Sequence, residues 1–293
     1  MLARSSEFQD FKALYAGLGD KQKVCLLCFS AFPEKEIIKK TFMFYWWTGE
    51  GFVAPVKGTE KTAEELANDV FSELMAKGFI EPISEKRTSD WGKHTGNFSS
   101  SYRVCLLAGE KLKGEGMDNV HMLFNVDHKI LDFEKPELFA MMKNSNLLCL
   151  GRWQTSQRHH IEVEDTKFLK GLKNMKHLMF LSLQRISQIM DLPTSVSNLM
   201  NITILDISAC PNLEKIPGEI GLLKSLTHLD MSECYLLVNM PKEISTLLEL
   251  EVLKGFVVEN LEGKEKDSCT LEDLADLPKL RKLSIFTGRK DFP

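Results

Sequence analysis

The sequence predicts an α+β domain followed by an α/β-type solenoid whose strands form one parallel concave sheet. Three observations predict it. Apolar residues in the second half recur at a fixed step of 24, a proline-marked series recurs with the same step, and the first half carries helical segments crowded with aromatics, then alternating extended segments.

The repeat comes first, because self-similarity fixes an architecture before any single element is assigned. Leu178, Ile202, Leu226 and Leu250 open four copies. Leu181, Leu205, Leu229 and Leu253 follow three residues on, and Leu183, Ile207, Met231 and Gly255 two residues after those. A strand alternates its side chains, so the fourth and sixth positions of each copy point inward together. Cys210 and Cys234 then stand where a small residue fills the turn away from the strand. The other side of each copy agrees: Leu192-Pro193, Ile216-Pro217 and Met240-Pro241 precede Val196, Ile220, Ile244 and then Leu199, Leu223, Leu247. Proline has no N–H to donate, which suits an extended convex segment and not a helix interior. Together the two series define a leucine-rich-repeat solenoid over residues 117–293.

Its edges are less regular. Val120–Val126 and Asn146–Leu150 read as earlier strands, and Leu280–Ile285 as a later one set 30 residues after the Leu250 copy. The charged stretch Glu262–Asp267 reads as a surface insertion that supplies the extra length. No polar capping repeat is evident near Phe292-Pro293, which would expose the last apolar layer.

Residues 20–116 form the preceding domain and residues 1–19 a remnant. Asp20 is placed to cap a helix from Lys21 to Ala31 that is apolar on nearly every side and so expected to be buried. A second helix is expected after Pro33-Glu34, carrying Ile37, Ile38, Phe42, Met43, Phe44, Trp46 and Trp47, an aromatic density that belongs in a core. Thr62-Ala-Glu-Glu65 is a capping box opening a third, with Ala63, Leu66, Ala67, Val70, Phe71 and Leu74 on one face and Gly78 as its stop. Phe79–Ile83 and Tyr102–Leu107 then read as extended segments flanking the polar loop Ser84–Ser101, and helices followed by a short hairpin describe a winged helix.

Composition narrows the function. Hydrophobic residues make up 43% and charged residues 27%, a globular balance, and the formal net charge is −4. Residues 1–117 hold 16 basic and 16 acidic side chains, which leaves little for the phosphate contacts that dominate DNA affinity, so no nucleic acid is expected as a partner. Seven scattered cysteines (Cys25, Cys28, Cys105, Cys149, Cys210, Cys234, Cys269) without a signal peptide point to a reducing, cytoplasmic setting, and no integral membrane segment is expected. Cys25-x-x-Cys28 lacks the second pair that a zinc site needs, and His159-His160 would point to opposite faces of a strand, so no metal, cofactor or catalytic residue is assigned.

Cys25-Leu-Leu-Cys28-Phe-Ser-Ala-Phe-Pro-Glu34 resembles the Cys-Phe-x-x-Cys-Ser-x-Phe-Pro-Glu signature in the winged-helix domain of plant coiled-coil-type NLR disease-resistance proteins. Ile38, Met43, Phe44, Trp46, Trp47 and Glu50-Gly51-Phe52 match the spacing of that family's following motifs, and with the repeats the resemblance covers about residues 20 to 290. It departs in two places. There is no Gly-x-x-x-x-Gly-Lys-Ser/Thr loop, and Val104-Cys105-Leu106 stands where the family carries Met-His-Asp, so the resemblance implies a chain that neither binds nor hydrolyses ATP.

What it implies instead is a non-enzymatic plant-defence role, holding a pathogen effector, a guarded host protein or a partner NLR receptor. An adaptor or decoy acting on full-length receptors, or an expressed receptor fragment with little activity, is the alternative. Solenoids present neighbouring strand side chains as one continuous surface. The candidate partner-binding residues are therefore the positions between the inward ones: Phe180, Ile204, His228 and Val252, bordered by Ser182, Asp206, Asp230 and Lys254.

Overall fold

The computed structural model describes residues 6–32, 38–55, 61–80, 103–106, 117–125, 130–131, 138–151, 160–163, 166–238, 240–258 and 268–286. They fall into two compact units, Met1–Gly92 and Lys93–Pro293.

The first unit is helical. α1 (Ser6–Ala16) occupies the stretch expected to be a remnant, and its Phe11 ring meets Phe79 edge-on at 5.4 Å. In α2 (Asp20–Cys28) the cap is Gly19 and not Asp20: the Gln22 side chain turns back to accept from the Gly19 N–H at 2.7 Å, while Asp20 places its charge in the first turn. This helix buries Cys25 and Cys28 but leaves Val24 and Leu27 exposed, so it is a one-faced helix and not the buried one expected. Pro33–Ile37 lie outside the described residues; Ile38 and Lys39 are non-helical, and α3 spans Lys40–Gly49.

Every side chain from Phe42 to Trp47 in α3 is buried. Trp46 meets Phe32 and Phe42 edge-on at 5.8 and 6.3 Å, and Phe44 meets Phe71 at 5.8 Å. α4 (Ala63–Ala76) opens on the expected capping box: the Glu65 N–H donates to Thr62 Oγ1 at 3.2 Å, and Glu65 Oε2 accepts from the Thr62 N–H at 2.8 Å. Such a cap contributes about 1 kcal/mol. α4 ends as expected at Gly78, whose φ of 74° is left-handed and lets the Phe79 N–H reach back to the Leu74 carbonyl.

The second unit is one parallel eight-stranded sheet with its core on one face. Its strands are β1 (Arg103–Leu106), β2 (Met122–Asn125), β4 (Leu147–Cys149), β6 (Phe180–Ser182), β7 (Ile204–Asp206), β8 (His228–Asp230), β9 (Val252–Val257) and β10 (Lys282–Phe286), in that order. β3 (Ile130–Leu131) and β5 (Glu162–Val163) pair separately. β1 corrects an expectation. The sequence assigns Tyr102–Leu107 to a hairpin of the first domain, yet Arg103–Leu106 pairs in parallel with Met122–Asn125 as the first rung of the solenoid sheet. The other hairpin segment beyond Ile80, the loop Ser84–Ser101 and the insertion Glu262–Asp267 lie outside the described residues.

The 24-residue step is reproduced in three dimensions. Leu181, Leu205, Leu229 and Leu253 stand in register on adjacent strands, fully buried in a core shared with Leu148, Leu183, Ile207 and Met231. Pro193, Pro217 and Pro241 cap short 3-10 turns at Thr194–Asn198, Gly218–Leu222 and Lys242–Thr246, with extended backbone at each proline. Each ladder cysteine also makes a bond: Cys210 Sγ donates to the Leu183 carbonyl at 3.2 Å and Cys234 Sγ to that of Ile207 at 3.1 Å, each joining a repeat to the one before.

Gly255 breaks the consensus for a physical reason. Its φ is 74°, and a Cβ there would lie 2.4 Å from the Met231 carbonyl carbon and oxygen. Ser284 pairs with Lys254 and Ile285 with Phe256, so Gly255 is the extra residue of a β-bulge, and Phe256 takes the inward place instead.

Candidate binding surface on the parallel sheet

The residues facing away from the core form two rows. The first runs through directly paired positions Met122, Leu147, Phe180, Ile204, His228 and Val252. All six are 2% exposed or less, which corrects the expectation that Phe180, Ile204, His228 and Val252 form an open stripe. Strand alternation correctly puts them on the face opposite the leucines, but their side chains are buried there.

The second row starts apolar, with Phe124 and Cys149, and becomes polar: Ser182, Asp206, Asp230, Lys254. Ser182 is buried, whereas the other three stay partly exposed. Each aspartate is half committed to its own turn, since Asp206 Oδ1 accepts from the Ser208 N–H at 3.0 Å and hydroxyl at 2.6 Å, and Asp230 Oδ1 from the Ser232 N–H at 3.1 Å. Their second oxygens face along the row: Asp206 Oδ2 accepts from Ser182 Oγ at 3.2 Å, and Asp230 Oδ2 from Lys254 Nζ at 2.8 Å. Burial first, and then the neighbouring Asp230 charge, push the Asp206 carboxyl up to about 6, against the pull of the Ser208 and Ser182 hydrogen bonds.

The row therefore presents two adjacent carboxylates with one cation at its end. Both hydroxyls that reach Asp206, those of Ser182 and Ser208, donate to its carboxylate, and no group of three or more metal-ligating side chains occurs among the described residues. His160 is exposed, and His159 lies outside the described residues.

Sequence reasoning missed Arg185. Its side chain is almost fully buried, with a guanidinium nitrogen 3.8 Å from Glu233 across two repeats. Arg185, Ala209 and Glu233 all carry positive φ (65°, 54°, 62°), which marks the turn that closes each strand. The Asp-x-Ser pattern at 206–208 and 230–232 is the legible signal for the turn itself.

A parallel sheet built from 24-residue units, with thiols closing the turns, defines a leucine-rich-repeat protein preceded by a helical domain. Comparison with known families agrees and goes further. Residues 154–292 match the model of a leucine-rich repeat region, and residues 31–98 that of the disease resistance protein winged helix domain. The chain thus carries a region similar to the disease-resistance winged-helix domain, followed by a leucine-rich-repeat region.

Two rice relatives (Oryza sativa subsp. japonica) are similar over short stretches. Disease resistance protein RGA5 is 33% identical over 69 residues, 24% of this chain, and disease resistance protein RGA4 is 38% identical over 66 residues, 22% of this chain. Either match spans 6% of the rice protein's length. Among solved structures, the Leptospira interrogans LRR protein LIC12759 aligns over 61% of this chain and 40% of its own at 22% identity, with a TM-score of 0.45. The LRR ectodomain of the Arabidopsis receptor kinase HAESA, solved with a peptide hormone ligand, aligns over 63% and 28% at 18% identity, also at 0.45. No helix among the described residues is long and apolar enough to cross a membrane.

Proposed function

We propose that the chain serves plant defence as a cytoplasmic, NLR-like binding module, whose repeat sheet holds a pathogen effector, a guarded host protein or a partner receptor without covalent chemistry. The observation that carries this reading is the polar row, joined in one chain to a winged-helix domain of the disease-resistance type. Asp206, Asp230 and Lys254 are the recognition positions. Ser182 fixes the Asp206 carboxylate, and the buried Phe180, Ile204 and Val252, with the buried polar His228 between them, form the floor that sets the row's spacing.

Reversing the Asp230–Lys254 pair tests it, because the double variant Asp230→Lys/Lys254→Asp retains an ion pair while inverting the field. A partner isolated from plant tissue and then purified is expected to bind the wild-type chain directly in calorimetry. Its affinity for the swapped chain is expected to fall at least about tenfold, the scale of misplaced interfacial charge. Unchanged affinity in a folded double variant would remove the row from the interface. If the captured protein is a full-length receptor that binds residues 20–116 alone, the adaptor reading replaces this one, and saturable ATP hydrolysis by the purified chain would overturn both.

A further inference from the structure

The turns that lead into the strands build a second surface, apart from the polar row. Met175, Leu199, Leu223 and Leu247 are fully buried, with φ between −87° and −77° and ψ between 64° and 73°, the dihedrals of an inverse γ-turn. Each of these side chains goes into the core, and the residue after it stands out into solvent. The Lys176 N–H closes its turn on the Asn174 carbonyl at 3.0 Å, and the Lys224 N–H on that of Leu222 at 2.9 Å. Lys143 makes the same bond to the Met141 carbonyl at 2.9 Å.

The residues that stand out form one row. Lys143, Lys176, Met200, Lys224 and Leu248 each lie four positions before Leu147, Phe180, Ile204, His228 and Val252, which pair in register on adjacent strands. The row therefore runs across the repeats at about the 5 Å step of the sheet. All five side chains are exposed, Met200 to 57% and Leu248 to 56%, and Leu222 beside Lys224 to 51%. Positive charge gathers next to Lys176, since residues 166–177 hold four lysines and no acidic residue. Within the 3-10 turn Lys167–Asn174, Lys170 and Lys173 are one turn apart and so stand in line, about 6 Å along the axis. Lys170, Lys173 and Lys176 are exposed and form no ion pair among the described residues. The exposed Glu219 and Glu243 reduce the charge beside the later repeats.

From this row we infer that the flank preceding the strands binds the surface of an anionic lipid bilayer. The ammonium groups lie among the headgroups, and the Met200, Leu222 and Leu248 side chains enter the acyl boundary. Both halves of the pattern are needed for this choice. A nucleic acid would take the cations but offer nothing to three exposed aliphatic side chains, whereas a bilayer takes both. The cations at 143, 170, 173, 176 and 224 are all lysine. Lysine is a point charge suited to a diffuse field, and it is depleted from protein–protein interfaces, where arginine with its bidentate fork is enriched. The contact uses no side chain of the polar row, so it stands whether or not that row holds a protein.

Cosedimentation of the full chain with vesicles tests it. Phosphatidylcholine vesicles containing about 30% phosphatidylserine are expected to bind at least about tenfold more strongly than pure phosphatidylcholine at low salt. Each lysine at such a surface contributes roughly fivefold, so the triple variant Lys170→Gln/Lys173→Gln/Lys176→Gln is expected to lose at least about tenfold in binding. Met200→Ser/Leu248→Ser is expected to lose at least about threefold. An environment-sensitive dye on Met200→Cys is expected to shift to the blue on anionic vesicles. The same dye on Met190→Cys, exposed to 55% beyond the other end of β6, is expected to stay unshifted, with labelled wild-type chain as background. Equal binding to neutral and anionic vesicles, unchanged binding by the folded triple variant, or a dye that shifts at 190 and not at 200 would each overturn the proposal. Binding to poly-glutamate or to single-stranded DNA without binding to either vesicle would overturn it too, and would give the row to that partner. Circular dichroism of each variant separates loss of binding from loss of fold.

Discussion

Replacing Asp206 by Asn is expected to stabilise the protein at neutral pH. The Asp206 carboxyl titrates at about 6 in the folded chain, against 3.8 for the free group. The folded state thus binds its proton more tightly than the unfolded state, so the group contributes nothing adverse below about pH 4 and costs progressively more stability as pH rises through 6. A shift of this size corresponds to roughly 3 kcal/mol at pH 7.5, at 1.36 kcal/mol per unit. Asn cannot ionise, and its carbonyl keeps the bonds from Ser208 that now reach Asp206 Oδ1. Its amide must find an acceptor where Ser182 Oγ now donates, and a hydroxyl can rotate to accept.

Allowing for that exchange, the gain is about 1–3 kcal/mol, or roughly 3–10 °C in Tm for a repeat unit of this size. Thermal unfolding of both chains at steps between pH 4 and 8 measures it, and the difference is expected to shrink toward zero at the acid end. An Asp206→Asn chain that is less stable than wild type at pH 7.5, or a difference that does not vary with pH, would refute the assignment of a costly buried charge to this row.

Two further outcomes follow from the core. Gly255→Ala drives a Cβ into the Met231 backbone at a positive φ, so it is expected to cost at least about 3 kcal/mol and to lower the urea midpoint of the repeats, the sum of clash and strain; a midpoint within error of wild type would show that the bulge relaxes freely. Burial pushes the Cys25, Cys234 and Cys269 thiols up to about 12 and raises those of Cys149 and Cys210 as well. Brief alkylation at pH 8 followed by peptide mapping is expected to leave these five unmodified in the native chain and modified in urea, and native labelling of any one at the rate of a small thiol would contradict its burial.

The solenoid is readable from sequence because its core is periodic: a single inward leucine means little, but the same leucine at 181, 205, 229 and 253 fixes strand, register and face together. Other features depend on what lies opposite, which a local pattern does not specify. Alternation puts Phe180 on the outer face and says nothing of how deeply it is buried there. The extended character of Arg103–Leu106 is visible, but not that its partner is β2. Gly255 stands out as a departure, while its cause is the approach of the Met231 backbone. α1 lies in a stretch read as a remnant, although Phe8, Phe11, Leu14 and Tyr15 carry helical spacing. Within the polar row, Ser182, Asp206, Asp230 and Lys254 are legible as neighbours; the elevated Asp206 carboxyl arises from its depth and from the Asp230 charge, which are properties of the stack.

The bonds between repeats carry a genetic consequence. Cys234 reaches Ile207, Cys210 reaches Leu183, and the Thr227 and Thr203 hydroxyls reach the carbonyls of Thr203 and Met179, each one unit back along the chain. A duplicated block of 24 residues would bring the donors its upstream neighbour's acceptors require and offer the acceptors its downstream neighbour needs. Unequal crossing-over in whole units can therefore lengthen or shorten the sheet in one event without unpairing a ladder, whereas an in-frame loss of a single codon inside a strand turns the later side chains of that strand to the wrong face. The periodicity that stabilises this sheet also makes it a segment that recombination can resize.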